Sequence, residues 1–504
     1  CDNLQTLTFG KNSKIEAIGK NAFTDCVFLL DLQFPQTLRS IGSYAFAGCE
    51  RLRSMSFAEG CELLSIGTSA FAECIALPRV QLPAKTTNIG SYTFYGCRML
   101  EYVTFEGGSA LTEIGSYAFH GCTLLLELSI PNGVRFVGEE AFTGCVELLQ
   151  LENNVWYVDN WVVKYDTKSA KFALRAGTRG IADRAFFDCN TLATVSIPDS
   201  LQCIGRRAFA SCSDLLQLNL PAELAVIGDN AFSGTTSLQR ISVHENNPTY
   251  FSCSAGILYT RTSPAAFVHV PADLSGEVSI VDGISQLPSG TLANRKNLTR
   301  VNLPASVGSV SSGTFSGCTS LREIVVDGAN QSYASVDGIL YNKALTAIVH
   351  IPKDIRGSVH IPKGVTSLPS SAFSGAVRLT DVELPSTLQS IGGNAFSGCT
   401  SLSTLTVPSG VRNIGRNAFS GCKNLTRVEM PTVGSAMSSL FNTMPSKLET
   451  IVINGGSTLS SGAFAQCTAL KEITLAATVT RIPDNAFEGC SKLERLIVAQ
   501  DNPS

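Results

Sequence analysis

AFSGCTSLSTLTVPSGVRNIGRNAFSGC, residues 395–422, opens and closes on the same five letters, and the two copies lie 23 residues apart. Between them stand Leu402, Leu405, Val407 and Pro408, then Val411, Ile414 and Gly415. Leu405 and Val407 are separated by one residue, so on a strand they share a face from which Thr404 and Thr406 point away. Pro408 has no N–H for a ladder and ends the strand. Val411 and Ile414 bring apolar side chains back to the interior, and Gly415 is expected to allow a tight bend. Residues 417–422 are too few for a full helix and are expected to form a short helical turn with Phe419 inward. One coil thus reads as strand, bend, second extended piece and turn.

Such a coil cannot fold alone. A fully buried apolar side chain contributes roughly 1.5–3 kcal/mol, while each ordered residue costs on the order of 1.5 kcal/mol. Fewer than half of the coil's residues are apolar, so neighbours must complete its burial and its hydrogen bonds. The neighbours are present. The turn phenylalanine recurs at Phe23, Phe46, Phe71, Phe94, Phe119 and Phe142, and at Phe186, Phe209 and Phe232. It returns at Phe315, Phe373, Phe396, Phe419, Phe464 and Phe487, with Leu292 in its place once and Phe441 out of step by one. Strand segments of the same type run from Leu4 to Val498. Length alone would suggest several domains; the repeat makes residues 1–504 one stacked array.

Three stretches break the period, at 153–175, 246–271 and 330–352. The last two align: Tyr250 with Tyr333, and GILY at 256–259 with GILY at 338–341. Two short β-like runs joined by a polar linker read as a β-hairpin inserted into the stack. Gln150 and Glu152 are expected to continue the regular outward row. Cys1 already occupies a repeat position, and Asp501, Asn502 and Pro503 match Asn246, Asn247 and Pro248. The chain is therefore expected to begin and end within a longer array, with a fourth hairpin after Ser504.

The L-x-x-φ-x-φ-P…φ-x-x-I-G-x-x-A-F-x-x-C pattern, with the interspersed DGILYNK at 337–343, resembles the BspA-like (Treponema-type) leucine-rich repeats over nearly the whole chain. The resemblance implies a mostly β leucine-rich-repeat solenoid: a parallel concave sheet, short helical turns opposite, and the hairpins as insertions. It also implies, for many members, a secreted or cell-surface protein that binds host proteins or other cells. It carries over no catalytic residue. Thr235 and Ala376 at the cysteine position, and the irregular coil around 437–444, depart from the pattern.

The net charge of −3, with 16% of residues charged, offers no basic footprint for nucleic acid. No apolar run approaches the ~20 residues of a membrane span, so no membrane insertion is expected within 1–504. Fourteen of the 17 cysteines stand at the repeat turn, leaving Cys61, Cys203 and Cys253 elsewhere. One equivalent thiol per coil reads as a column of buried free thiols acting as small apolar fillers. No C-x-x-C occurs; of the five histidines, His269, His350 and His360 occupy repeated V-H-φ-P positions rather than a converging set, and His244 lacks the second histidine of a zinc-protease helix. Nucleophile-elbow, P-loop and dinucleotide-loop motifs are absent. Neither enzymatic activity nor a cofactor or metal is expected. Sequons stand at Asn297, Asn330 and Asn424.

The outward strand positions are the best binding candidates: Arg79, Gln81, Tyr102, Thr104, Glu127, Gln217, Asn219, Arg240, Arg300 and Asn302. In the first insertion Trp156 and Trp161 form either a hairpin core or a projecting aromatic patch. The leading expectation is a non-enzymatic adhesion module, extracellular or on a cell surface. Its partner would be a protein, a host extracellular-matrix or cell-surface protein among the candidates. The alternatives are a structural spacer without a ligand and an intracellular protist scaffold.

Overall fold

The computed structural model describes every residue except 2, 11, 167, 168, 433 and 501–504. The fourth hairpin, which rests on 501–503, lies outside them. The chain packs as two units: Cys1–Thr262 with Phe267–Ala272, and Ser263–Ala266 with Asp273–Ser504.

In each unit the repeat closes into coils joined by two parallel ladders. The L-x-x-φ-x-φ strands make the first. In the first unit Asp31–Phe34 pairs with Ser54–Phe57, and Arg79–Leu82 with Tyr102–Phe105, which pairs in turn with Glu127–Leu128. In the second unit Thr404–Thr406, Arg427–Met430, Thr450–Ile453, Glu472–Leu475 and Arg495–Val498 lie side by side. The extended piece before each I-G forms the second ladder: Ala17–Ile18, Ser40–Ile41, Ser65–Ile66, Asn88–Ile89, Glu113–Ile114 and Phe136–Val137. Alternation holds, for Leu405 is buried and Thr404 and Thr406 are exposed.

The turn is hydrogen-bonded, Cys422 N–H to Phe419 O at 3.3 Å, but it is not helical. Asn417 and Gly421 both take left-handed φ, 58° and 72°, which breaks a helical run. Every second N–H then faces the next coil, as Phe46 N–H donates to Ala70 O at 2.8 Å. Among the described residues the sole α-helix is Met437–Phe441, in the irregular coil. There Phe441 still reaches the core and lies 5.4 Å from Phe419.

The phenylalanines form the columns that the period implies. Phe46, Phe71 and Phe94 stack at 5.4 and 5.6 Å with rings within 8° of parallel. Phe396 and Phe419, both fully buried, lie 6.1 Å apart. The thiols run beside them, and they are more than apolar fillers. Cys97 Sγ lies 3.2 Å from Phe71 O, and Cys122, Cys399 and Cys422 repeat the bond to the preceding coil. All 17 cysteines are free.

The glycine of I-G does not serve a bend. A Cβ on Gly415 would stand 2.3 Å from Gly393 N, and one on Gly138 2.2 Å from Ser116 N. These glycines let one backbone rest on the next, and their φ is not left-handed.

The insertions hold more than two strands. In the first, Gln150–Glu152, Val155–Val158 and Trp161–Tyr165 form an antiparallel meander. Its tight turn is Asn153-Asn154, both at positive φ. Gln150 and Glu152 therefore leave the regular row, and Lys171–Ala173 is already back in the first ladder beside Thr194–Ser196. The returning strand joins the second ladder, Trp161 pairing with Gly180. The second and third insertions are also three-stranded, Tyr250–Ser252, Leu258–Thr260 and Phe267–His269, then Tyr333–Val336, Ile339–Asn342 and Ile348–His350. Asn247 and Asn330 anchor them from buried positions. Asn330 Nδ2 donates to Pro304 O and Val307 O, and its Oδ1 accepts from the Ser332 and Tyr333 N–H groups. Tyr333 Oη then accepts from Val310 N–H at 2.9 Å.

Candidate functional site

The first ladder of the first unit brings five of the candidates together. Strand register sets Arg79 opposite Tyr102 and Tyr102 opposite Glu127, so a cation, a phenol and a carboxylate form one row. All three are exposed. Among the described residues no ion pair engages Arg79 or Glu127, whose strands lie two steps, about 10 Å, apart. Gln81 and Thr104 are paired in the next row. A depression of ≈ 630 Å³ lies over Ser56, Arg79, Gln81, Tyr102 and Thr104. A second, of ≈ 580 Å³, continues over Thr104, Glu127, Ser129 and Asn132. The two share Thr104 and Glu106 and form a trough open to solvent.

Gln217, Asn219 and Arg240 share a separate patch of the first unit, Gln217 opposite Arg240 and Asn219 opposite Ser242. Arg300 and Asn302 belong to the second unit. There Arg300 lies 3.4 Å from Glu323 and 3.7 Å from Glu277, and its Nε donates to Asn302 Oδ1. That charge is already balanced within the sheet.

The tryptophans part company. Trp161 is fully buried, its ring against Gly180, where an added Cβ would stand 2.4 Å from the indole. It is a core residue and offers nothing to a partner. Trp156 is half-buried beside a small apolar cavity of ≈ 180 Å³ with Phe142, Leu149 and Val163. Its Nε1 donates to Asp166 Oδ2 at 2.6 Å, and Lys164 pairs with the same carboxylate at 2.9 Å. Burial opposes ionisation of Asp166, but the hydrogen bonds from Lys164 and Trp156 hold its carboxyl below the usual range.

One aromatic surface escapes the strand pattern. On the turn side of the first unit Tyr92 and Tyr117 stack at 4.7 Å, and Tyr95 and His120 at 5.2 Å. Tyr44 occupies the equivalent position two coils earlier, and all three Tyr-A/T-F tyrosines have φ near 58°. Other coils put asparagine there, at Asn21, Asn230, Asn394 and Asn417, which suits left-handed φ better than a bulky ring. That mismatch is the signal in the sequence.

The sequons divide too. Asn330 is fully buried with its amide wholly engaged and cannot accept a glycan, whereas Asn297 and Asn424 are exposed. Burial pushes the Cys49, Cys97 and Cys145 thiols up to about 12, so these three stay protonated at neutral pH. Among the described residues no group of His, Cys, Asp and Glu could hold a metal ion, and no helix is long and apolar enough to cross a membrane.

Stacked coils, two parallel ladders, an internal phenylalanine column and an open strand face define a leucine-rich-repeat solenoid. The chain belongs to the BspA-type leucine-rich repeat family: six copies of that region match residues 1–65, 62–160, 163–255, 273–356, 356–459 and 438–502. Proteins of this class are generally non-enzymatic and generally bind other proteins. The chain is similar to the crystal structure of a leucine rich cell surface protein from Faecalibacterium prausnitzii A2-165, at 21% identity and TM-score 0.28 over 94% of this chain and 88% of that one. It is also similar to a leucine-rich repeat protein from Bacteroides ovatus ATCC 8483, at 19% identity and TM-score 0.28 over 98% of each. A third, from Eubacterium ventriosum ATCC 27560, has 18% identity and TM-score 0.36 over 67% of this chain and 94% of that one. No curated protein matches it.

Proposed function

We propose that this chain is the repeat region of a secreted or cell-surface adhesion module that binds a protein partner across the Arg79–Tyr102–Glu127 row. The row carries the reading. It sets an unpaired cation and an unpaired carboxylate on either side of an exposed tyrosine, over a trough rather than a pocket. Tyrosine and arginine are the side chains on which protein interfaces most often depend. The cell-surface location of BspA-type homologues favours an extracellular site of action.

Binding of the purified chain to immobilised extracellular-matrix and cell-surface proteins tests it. A partner found this way is expected to bind Arg79→Glu or Tyr102→Ala about 30-fold more weakly, the effect of losing about 2 kcal/mol at a central contact. Arg300→Ala, whose charge is balanced internally, is expected to bind normally. If the chain and the variants all match a blank, the spacer reading replaces this one. Antibody staining of intact cells that appears only after permeabilisation would favour the scaffold.

A further inference from the structure

In the second unit three arginines converge on one carboxylate. Asp354 is fixed by its own N–H to Leu321 O at 2.8 Å. Its Oδ2 accepts from Arg322 Nε at 3.3 Å and from Arg356 Nε at 3.1 Å. Arg378 Nη1 donates to both carboxylate oxygens, at 3.0 and 3.1 Å. The Asp354 side chain is 12% exposed, while those of Arg322, Arg356 and Arg378 are 49%, 38% and 54% exposed. The carboxylate is thus covered by guanidinium groups that face solvent.

The charge does not balance. Three cations meet one anion in a chain whose net charge is −3. Elsewhere the chain does the opposite: Arg300 is flanked by Glu277 and Glu323, and Arg206 by Glu113 and Asp183. Strand register also sets Arg356 directly opposite Arg378, a like-charge pairing that is unfavourable on a sheet. The nearby acids are otherwise engaged. Glu323 pairs with Arg300, Glu383 with His360, and Asp381 accepts from Ser358 Oγ. Lys353, next to Asp354, adds a further cation and donates to Ser374 O.

Each guanidinium has five N–H donors in a fixed fork, and Asp354 uses only one or two of each. Among the described residues no second carboxylate forms an ion pair with these three. The three guanidinium groups that carry the remaining donors are gathered on one shared carboxylate, and clustered arginine forks suit a multi-oxygen anion.

We infer that Arg322, Arg356 and Arg378 form a binding site for one tetrahedral oxyanion, a sulfate or phosphate ester group, with Asp354 as the positioning residue. The site lies outside the Tyr102 row and does not rest on the reading of that row.

Calorimetric titration of the whole chain with inorganic sulfate and with inorganic phosphate, at constant ionic strength in chloride, tests it. Binding in the millimolar range or tighter by either ion is expected, and the tighter one names the ester. Arg322→Ala and Arg378→Ala are expected to weaken it at least tenfold, whereas Arg427→Ala leaves it unchanged. Asp354→Asn is close in shape and removes the only counter-charge. It is expected to bind the anion several-fold more tightly and to melt at lower temperature unless sulfate or phosphate is added. A purely structural role for the cluster predicts lower stability in Asp354→Asn with no gain in affinity. No binding by either ion, or equal binding by wild type, Arg322→Ala and Arg378→Ala, overturns the site even if Asp354→Asn fails to fold.

Discussion

At the scale of single residues the repeat uses glycine for two unrelated reasons, and only coordinates separate them. Gly415 lies against the backbone of the preceding coil, where a Cβ would approach Gly393 N to 2.3 Å. Gly375 has nothing within 4 Å but takes φ +80°. Gly415→Ala must push two stacked backbones apart and is expected to cost about 3 kcal/mol, whereas Gly375→Ala pays only the left-handed strain of about 1–2 kcal/mol. Local opening free energies from amide exchange in the two coils check the order; equal losses would mean that the close approach relaxes. The I-G dipeptide recurs in many coils, though Ala182, Pro288, Ser311 and Pro369 replace its glycine in others, and a bend and a close approach leave the same mark in a sequence. Asn330 is a second case. Its N-Q-S reads as a sequon, yet the side chain is fully buried and bonds to four backbone groups. Removing it in Asn330→Ala leaves two N–H groups and two carbonyls without their partner, and an expected loss of about 3 kcal/mol. The exposed Asn424→Ala is expected to change the same melting curve little.

At the scale of elements the strands were legible and the turns were not. Leu402, Leu405 and Val407 carry a period-two signal that only a strand explains. The A-F-x-x-C turn carries a short-range signal equally consistent with one helical turn, and the left-handed residues at its two ends decide against it. The insertions read as hairpins because GILY and the tyrosines show β-like runs. The third strand, Phe267–His269 or Ile348–His350, merged in the sequence with the V-H-φ-P that resumes the coil. The thiol column was legible in position but not in its bonding. Cys49, Cys97, Cys145 and Cys422 among others donate to the carbonyl one coil back, and burial, first among the causes, pushes Cys49, Cys97, Cys145 and Cys467 up to about 12. Two outcomes follow from this element. An alkylating reagent at pH 7.5 is expected to label exposed Cys1 and half-buried Cys189, Cys253 and Cys490 in the native chain, and all 17 cysteines only after denaturation, as mass spectrometry will count. Stability should also depend on pH in one direction. The unfolded thiols lose protons near 9 and the folded ones near 12, so between these values the native state holds more protons than the unfolded state. The stability is complete below pH 9 and falls as pH rises toward 12. Denaturation midpoints measured from pH 8 to 11 that stay flat would show that the column breathes enough to ionise in place.

At the scale of the whole molecule, each coil touches chiefly its neighbours, so stability is a sum of coil terms and interface terms rather than one global quantity. This is why the period revealed the class of fold from a single unit, while the binding surface stayed obscure. Outward positions such as Arg79 and Arg300 look alike in the sequence, and only the register and the flanking carboxylates tell the free cation from the balanced one. The phenylalanine columns supply the decisive experiment. Phe396 is fully buried, 5.2 Å from Phe373 and 6.1 Å from Phe419. Phe396→Ala removes a whole ring from a stack that cannot collapse without moving both neighbours, and is expected to cost about 3–5 kcal/mol. If coil terms add along the chain, amide exchange accelerates in the coils of Phe373, Phe396 and Phe419, by roughly two orders of magnitude or more for that loss. The coils of Phe46 and Phe71, which belong to the other unit and stack at 5.4 Å, keep their wild-type protection. Acceleration spread evenly over both sets would mean that the chain opens as one cooperative body, and that the description by nearest neighbours is wrong.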